Sequence, residues 1–287
     1  MKIDIVTFLT RNSAAYAEYL KYTCEKYMSG KHQLYWKCIQ SVGSKRIPDG
    51  YKFECQTGDV GHNSSNHAQA LNEAYRYVDH DIAIYVDSDM AVLYPGWDDV
   101  VVKELERYHC FGTAYDDPIK YQNFPMVYFF AFRSEILNTV YLDFRPDIVP
   151  GSDKPVRFKL PAGKAEYFGK KPGEIIKCDT GWKIPEIMKK AGFTGSCMKP
   201  VPMTSKYSQL PFENEKHKNF CMQKPTHHCE WLYNGRLFTT HKQASRNHPI
   251  NGRYGKAWRQ RVDAYIRYLE ETGRILNEQK RVTNTNR

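Results

Sequence analysis

The residues best suited to chemistry stand together at Asp87-Ser88-Asp89. Two carboxylates two positions apart repel each other, and a divalent cation that prefers oxygen ligands would neutralise both. Such a cation commonly also holds substrate phosphates. Residues 82–86 (IAIYV) are short, apolar and rich in strand formers, which predicts a buried strand of a parallel sheet. The carboxylates then fall at the carboxyl end of a central strand, where open α/β sheets bind ligands. An acidic turn after a strand is the plainer alternative, because Asp and Ser are ordinary turn residues.

The elements that must position this pair alternate between β and α. Residues 3–9 read as a first strand, and a helix follows to about residue 28, with Asn12 or Ser13 at its start. The turn between them carries Thr7, Phe8, Thr10 and Arg11 and is the natural wall for a base and ribose. Residues 34–42 and 51–56 read as further strands. A Gly/Asn/Ser loop then leads to a helix capped by Ser65 or Asn66, with Ala68, Leu71, Ala74, Tyr75 and Val78 on its apolar side. Neither G-x-G-x-x-G nor a P-loop is present, so neither a dinucleotide fold nor a P-loop NTPase is supported.

Strand with a Thr-bearing turn, helix, Gly/Asn/His loop, helix, apolar strand and Asp-Ser-Asp: in this order the chain resembles a GT-A glycosyltransferase of the family-2-like branch, over roughly residues 3–140. The resemblance implies an α/β fold with a mostly parallel, Rossmann-like sheet flanked by helices, in one domain with a C-terminal helical extension. Residues 1–120 would form the nucleotide-sugar half, 121–235 the acceptor side, and 236–287 a basic C-terminal segment. It implies a nucleotide-sugar donor, usually a UDP-sugar, and Mn or Mg held by Asp87 and Asp89. Gly61, His62 and Asn66 would touch the nucleotide, with Thr7, Phe8, Thr10, Arg11, Asp87 and Ser88 around it. His241 would complete the metal site, and Lys242, Ser245 and Arg246 would hold the diphosphate. An imidazole ligand tilts the site toward Mn. Asp179, in CDTGW, would be the general base on an acceptor hydroxyl, giving inversion. The same Asp179 also reads as the N-cap of a helix over 178–193, in which case retention is open.

The remaining stretches are less specific. Residues 98–108 predict a helix, and 111–115 and 125–133 predict strands, the second leading into a helix start at 134–140. Residues 145–177 are rich in Pro, Gly and Lys and read as a long irregular segment, either a lid or acceptor-reading loop or a solvated one. Residues 194–230 read as polar loop, in which Cys197, Cys221, His227, His228 and Cys229 offer zinc-ligand types without a finger's spacing. Residues 237–240 predict a short strand before His241. Residues 255–279 predict an amphipathic helix with Trp258, Val262, Tyr265, Ile266 and Leu269 on one face, followed by a frayed tail after Lys280.

Composition bounds these readings. The chain has 287 residues, 41% of them apolar, which is enough for a sizeable core. No run approaches a membrane span, the N-terminus shows no leader pattern, and eight scattered cysteines fit free thiols, so a soluble cytoplasmic protein is expected. The net charge is +10, and residues 236–287 hold twelve Lys/Arg against four Asp/Glu. That end reads as a surface for a polyanion or as a solvated helix face. With Tyr254 and Trp258 among the basic residues, the reading leans to a nucleic-acid acceptor, a hydroxymethylated base in DNA. A polysaccharide, lipid or protein glycan is the alternative acceptor. A non-catalytic nucleotide- or nucleic-acid-binding module is the alternative class. The oligomeric state is open.

Overall fold

The computed structural model describes residues 1–285 apart from 42, 61–62, 116, 122, 202–207, 213–228 and 243–246, with side chains described as far as residue 273. The apolar run that opens the chain forms strand β1 (Lys2–Leu9), buried from Ile3 onward. Helix α1 (Ala14–Tyr27) follows, its buried face set by Tyr16, Leu20, Thr23 and Cys24 at helical spacing. Ser13 occupies the N-cap position, but its hydroxyl turns back to the Thr10 backbone instead of capping the helix. Strands β2 (Gln33–Gln40) and β3 (Lys52–Gln56) come next. Helix α2 (Asn63–Glu73) continues into a 3-10 turn over Ala74–Tyr77, and β4 (Ile82–Asp87) runs fully buried up to its last residue.

β1 lies between β2 and β4 and is parallel to both. The chain winds one way through α1 to β2 and the other way through α2 to β4. The strand order therefore reverses between β1 and β4, and their carboxyl ends open a crevice there. Phe8 pairs with Asp87 in the register, so the first carboxylate stands at the mouth of that crevice.

The rest of the chain extends the same sheet. β5 (Met90–Val92), α3 (Trp97–Arg107), β6 (Cys110–Thr113) and β7 (Met126–Arg133) follow in order. A 3-10 turn over Ser134–Asn138 stands where a helix start is predicted. After β8 (Arg157–Lys159), α4 (Ala162–Ala165), β9 (Ile175–Lys177) and α5 (Ile184–Lys190) come β10 (Gly195–Val201), β11 (Cys229–Tyr233) and β12 (Arg236–His241). Ten strands lie in the order β3-β2-β1-β4-β7-β6-β10-β11-β12-β5, parallel from β3 to β4 and mixed beyond. This is an α/β fold whose sheet runs through all three sequence segments distinguished above. Gly112 permits a close approach inside it: a Cβ there would stand 2.0 Å from the Phe129 carbonyl oxygen.

Several elements depart from the sequence expectations. α2 begins at Asn63, so Ser65 and Asn66 lie inside it and do not cap it. The 145–177 segment is not irregular throughout. β8 and β9 form an antiparallel pair, and Leu160, Ala165, Phe168 and Ile176 are buried in the main core. Its Pro and Gly residues hide this order because each element is only three or four residues long. Residues 195–201 form a strand parallel to β6, and 229–233 a strand antiparallel to β12; the first stretch and the start of the second, to residue 230, fall where polar loop is expected. α5 starts at Ile184, five residues beyond Asp179, so Asp179 does not cap it.

The C-terminal helix α6 (Arg253–Thr285) runs past Lys280, where a frayed tail is expected from the sequence. Trp258, Val262, Tyr265 and Ile266 face inward onto Tyr16 and Tyr19 of α1, forming a second apolar cluster. Arg261, one of its basic residues, is buried and bonds to the carbonyls of Leu210 and Pro211. No helix among the described residues is long and apolar enough to cross a membrane.

Candidate metal centre and donor crevice

Asp87 ends β4, and the chain turns at Ser88-Asp89 into β5. β12 runs antiparallel to β5, with His241 opposite Met90, and the Lys242 amide donates to the Asp89 carbonyl at 2.8 Å. This pairing carries an imidazole from the far end of the chain onto the two carboxylates. His241 Nε2 lies 2.9 Å from Asp89 Oδ1 and 3.5 Å from Asp87 Oδ2. Asp89 and His241 are buried, and the Tyr128 ring packs over the imidazole at 4.2 Å between centroids.

The residues suit a divalent cation. One ligand atom from each of Asp87, Asp89 and His241 falls within 4.8 Å of the others. Adjacent ligands on a cation with bonds of about 2.1 Å stand roughly 3 Å apart, close to the separations seen here. Asp87 Oδ1 is buried and accepts no hydrogen bond, which leaves a carboxylate oxygen with unused ligand capacity at the site. Two carboxylates and an imidazole form a donor set for Mn or Mg, with the imidazole favouring Mn.

His67, which the sequence reading passed over, joins the group. Its Nε2 is 3.1 Å from Asp87 Oδ1, close enough for an ion pair but outside hydrogen-bond geometry. Burial works against the charged imidazole, but the Asp87 carboxylate outweighs it, with Asp89 and Asp179 adding to the pull, and the His67 pKa is raised. A signal for it existed. His67, Leu71 and Ala74 lie at i, i+4 and i+7, the spacing of the stripe that α2 turns toward the sheet.

The residues expected at the nucleotide divide into two groups. Thr7 is buried and its hydroxyl donates to the Val86 carbonyl at 2.9 Å, so it joins β1 to β4. Phe8 is buried edge-on to His67 and Tyr85. Thr10 Oγ1 is buried without a partner, and Arg11 is exposed beside it. Asn66 accepts from the Val60 amide at 2.8 Å and donates to Asp59 at 3.0 Å, which organises the loop before α2. Ser88 is buried between the two carboxylates. Lys242 is buried beside Asp89, and burial lowers its pKa against the pull of that carboxylate. Gly61, His62, Ser245 and Arg246 lie outside the described residues, as do Cys221, His227 and His228 of the zinc reading.

Asp179 reaches the same crevice from the turn before α5. The Thr180 hydroxyl donates to the Ser64 carbonyl at 3.2 Å, and Tyr115 donates to the Thr180 carbonyl at 3.1 Å, fixing this turn beside the start of α2. The Asp179 carboxylate meets Lys120 Nζ at 3.0 Å and Lys177 Nζ at 3.2 Å. Burial disfavours its charged form, but the two ammonium groups prevail and hold its pKa far below the usual carboxylate range.

Neither a protein-family model nor a curated protein matches the chain. Among solved structures it is similar to the mannosyltransferase PcManGT from Pyrobaculum calidifontis in complex with GDP-Man and Mn2+, with 16% identity over 50% of this chain and 47% of that one and a TM-score of 0.36. It is similar to S. aureus TarS 1–349, with 13% identity, 50% of each chain covered and a TM-score of 0.36. It is also similar to an active-site mutant of LgtC, with 14% identity, 47% of this chain and 59% of that one, and a TM-score of 0.37. The chain spans about half the length of these structures, and likenesses this distant assign it to no family. The site therefore rests on its own geometry: an Asp-Asp-His cluster with the ligands of a divalent cation, at the switch point of an α/β sheet.

Proposed function

We propose that this chain is a metal-dependent glycosyltransferase that moves a sugar from a nucleotide-sugar, most simply a UDP-sugar, to an acceptor hydroxyl with inversion. The observation that carries the reading is the convergence of Asp87, Asp89 and His241 at the crevice between β1 and β4. A Mn or Mg ion held by these three would act as a Lewis acid toward the donor diphosphate. Around it, Lys242, buried beside Asp89, would meet the negative charge that gathers on the leaving nucleotide, with Ser245 and Arg246 three and four positions on in the chain. Thr10 Oγ1 and the exposed Arg11 offer polar contacts to the base and ribose. Asp179 takes the proton of the acceptor hydroxyl as that oxygen attacks the anomeric carbon, and the bond from this carbon to the diphosphate breaks.

For the acceptor we favour DNA bearing hydroxymethylated bases. Support comes from the positive charge of residues 236–287, with Arg261 taken out of the count by burial, and from residues 145–190, where eleven Lys/Arg face six Asp/Glu. Transfer to such DNA should fall steeply as salt rises. A flat response would point to an uncharged glycan acceptor.

The donor half is tested by thermal stabilisation with UDP, in Mn and in EDTA, on wild type and Asp89→Ala. Stabilisation that requires both the metal and Asp89 is expected. No shift with UDP under any condition would sink the proposal.

A further inference from the structure

The Asp179 carboxylate is held in a way that does not suit a base at rest. Oδ2 meets both Lys120 and Lys177, while Oδ1 accepts from the Thr180 amide at 2.9 Å. The two lysines come from distant stretches, brought together where the Lys177 amide donates to the Ile119 carbonyl at 2.7 Å. Lys120 also lies over the Tyr115 ring, 4.3 Å from its centroid. The side chains of Lys120, Lys177 and Asp179 are 11%, 24% and 18% exposed, so the group is sheltered but open to the crevice. Two ammonium groups against one carboxylate leave a positive charge unmatched. Arg157 adds to it. It stands directly opposite Lys177 in the β8–β9 pair, and opposed like charges in a strand pair repel.

A proton arriving on Asp179 would remove the carboxylate that both lysines meet, with Arg157 opposite Lys177 in the strand pair. Uptake of that proton therefore needs a replacement anion. We infer that Lys120, Lys177 and Arg157 form a binding site for a phosphodiester of the acceptor, next to the reacting hydroxyl, and that its arrival draws the lysines off Asp179 and frees this carboxylate to act as base. The inference rests on the reading of Asp179 as the base in sugar transfer. It makes the acceptor's own anion a condition for its activation, so a neutral acceptor of the same shape reacts slowly.

The test separates the anion from the rest of the acceptor. Donor hydrolysis is followed with UDP-glucose, UDP-galactose and UDP-N-acetylglucosamine in Mn, with dimethyl phosphate added. Water replaces the acceptor: its oxygen attacks the anomeric carbon, the carbon–oxygen bond to the diphosphate breaks with its electrons leaving on UDP, and the water proton passes to Asp179. Dimethyl phosphate should raise the wild-type rate about threefold to tenfold, because a carboxylate relieved of its ammonium partners is a stronger base. Neutral trimethyl phosphate should do nothing, and Lys120→Met/Lys177→Met should lose the response. A wild type that hydrolyses donor without responding to dimethyl phosphate overturns the inference. An equal response to acetate overturns the phosphodiester assignment. If no donor is hydrolysed the transfer reading fails separately, and the anion site is then judged by the 13C resonance of the Asp179 carboxyl, assigned with Asp179→Asn. Dimethyl phosphate should raise its titration midpoint in the wild type, and an unmoved midpoint overturns the site.

Discussion

His241 Nε2 and Asp89 Oδ1 stand 2.9 Å apart although 152 residues separate them in the chain. The antiparallel pairing of β12 with β5 sets that distance, and both side chains are buried. A preformed, desolvated ligand pair of this kind needs little rearrangement to bind a cation.

Metal binding should therefore depend on His241 as strongly as on the carboxylates. His241→Ala is expected to weaken Mn binding at least about a hundredfold, more than loss of an outer partner usually costs. Titration of Mn followed by electron paramagnetic resonance measures it. Equal affinity in wild type and variant would remove His241 from the site.

His67 approaches Asp87 from α2, 3.1 Å away and packed edge-on against Phe8. His67→Ala should weaken Mn binding by about tenfold to a hundredfold while shifting Tm little, because the side chain is partly exposed. A large loss of Tm with unchanged Mn affinity would show that His67 serves the fold alone.

Asp179 should make stability depend on acid. Its folded pKa lies below the unfolded value of about 3.9, so its contribution is complete above that value and is lost as pH falls through the folded pKa. At pH 7, Asp179→Asn should cost about 1–3 kcal/mol, since it strips two sheltered lysines of their partner. Urea unfolding at pH 7, 5 and 3.5 should show a gap between wild type and variant that is unchanged from pH 7 to 5 and only begins to narrow at the lowest pH, below the unfolded value. A gap constant across the series would contradict the lysine pairing.

The C-terminal helix is anchored by a buried charge. Arg261 Nη2 lies 3.8 Å from Glu230 Oε1, bonds to the Leu210 carbonyl at 2.7 Å and stacks 3.8 Å from the Phe212 ring centroid. Burial raises the Glu230 pKa even against the bonds it accepts from Ser208 and the Gln209 amide. Arg261→Met should destabilise the protein by about 3–5 kcal/mol, because it leaves a buried carboxylate uncompensated. Glu230→Gln in the same chain should recover part of that loss. A cost under about 1 kcal/mol in denaturant unfolding would show that the helix docks through its apolar face alone.

What the sequence determined on its own was local. Apolar runs marked β1, β4 and β7, the stripe of Tyr16, Leu20 and Cys24 marked α1, and the β-α-β alternation put Asp87 and Asp89 at a strand end, because burial leaves a period in the chain. A predicted strand ending at residue 240 likewise marked His241 as a residue on a fixed platform. β10 and the β8–β9 pair stayed hidden, since short strands broken by Pro and Gly carry too few residues to show a period. Tertiary structure alone decided which partners meet. Period and composition report that a side chain is buried or exposed, not what lies opposite it. Lys120 and Lys177 converge on Asp179, and His67 on Asp87, only because sheet order and turn geometry fold distant segments onto one crevice.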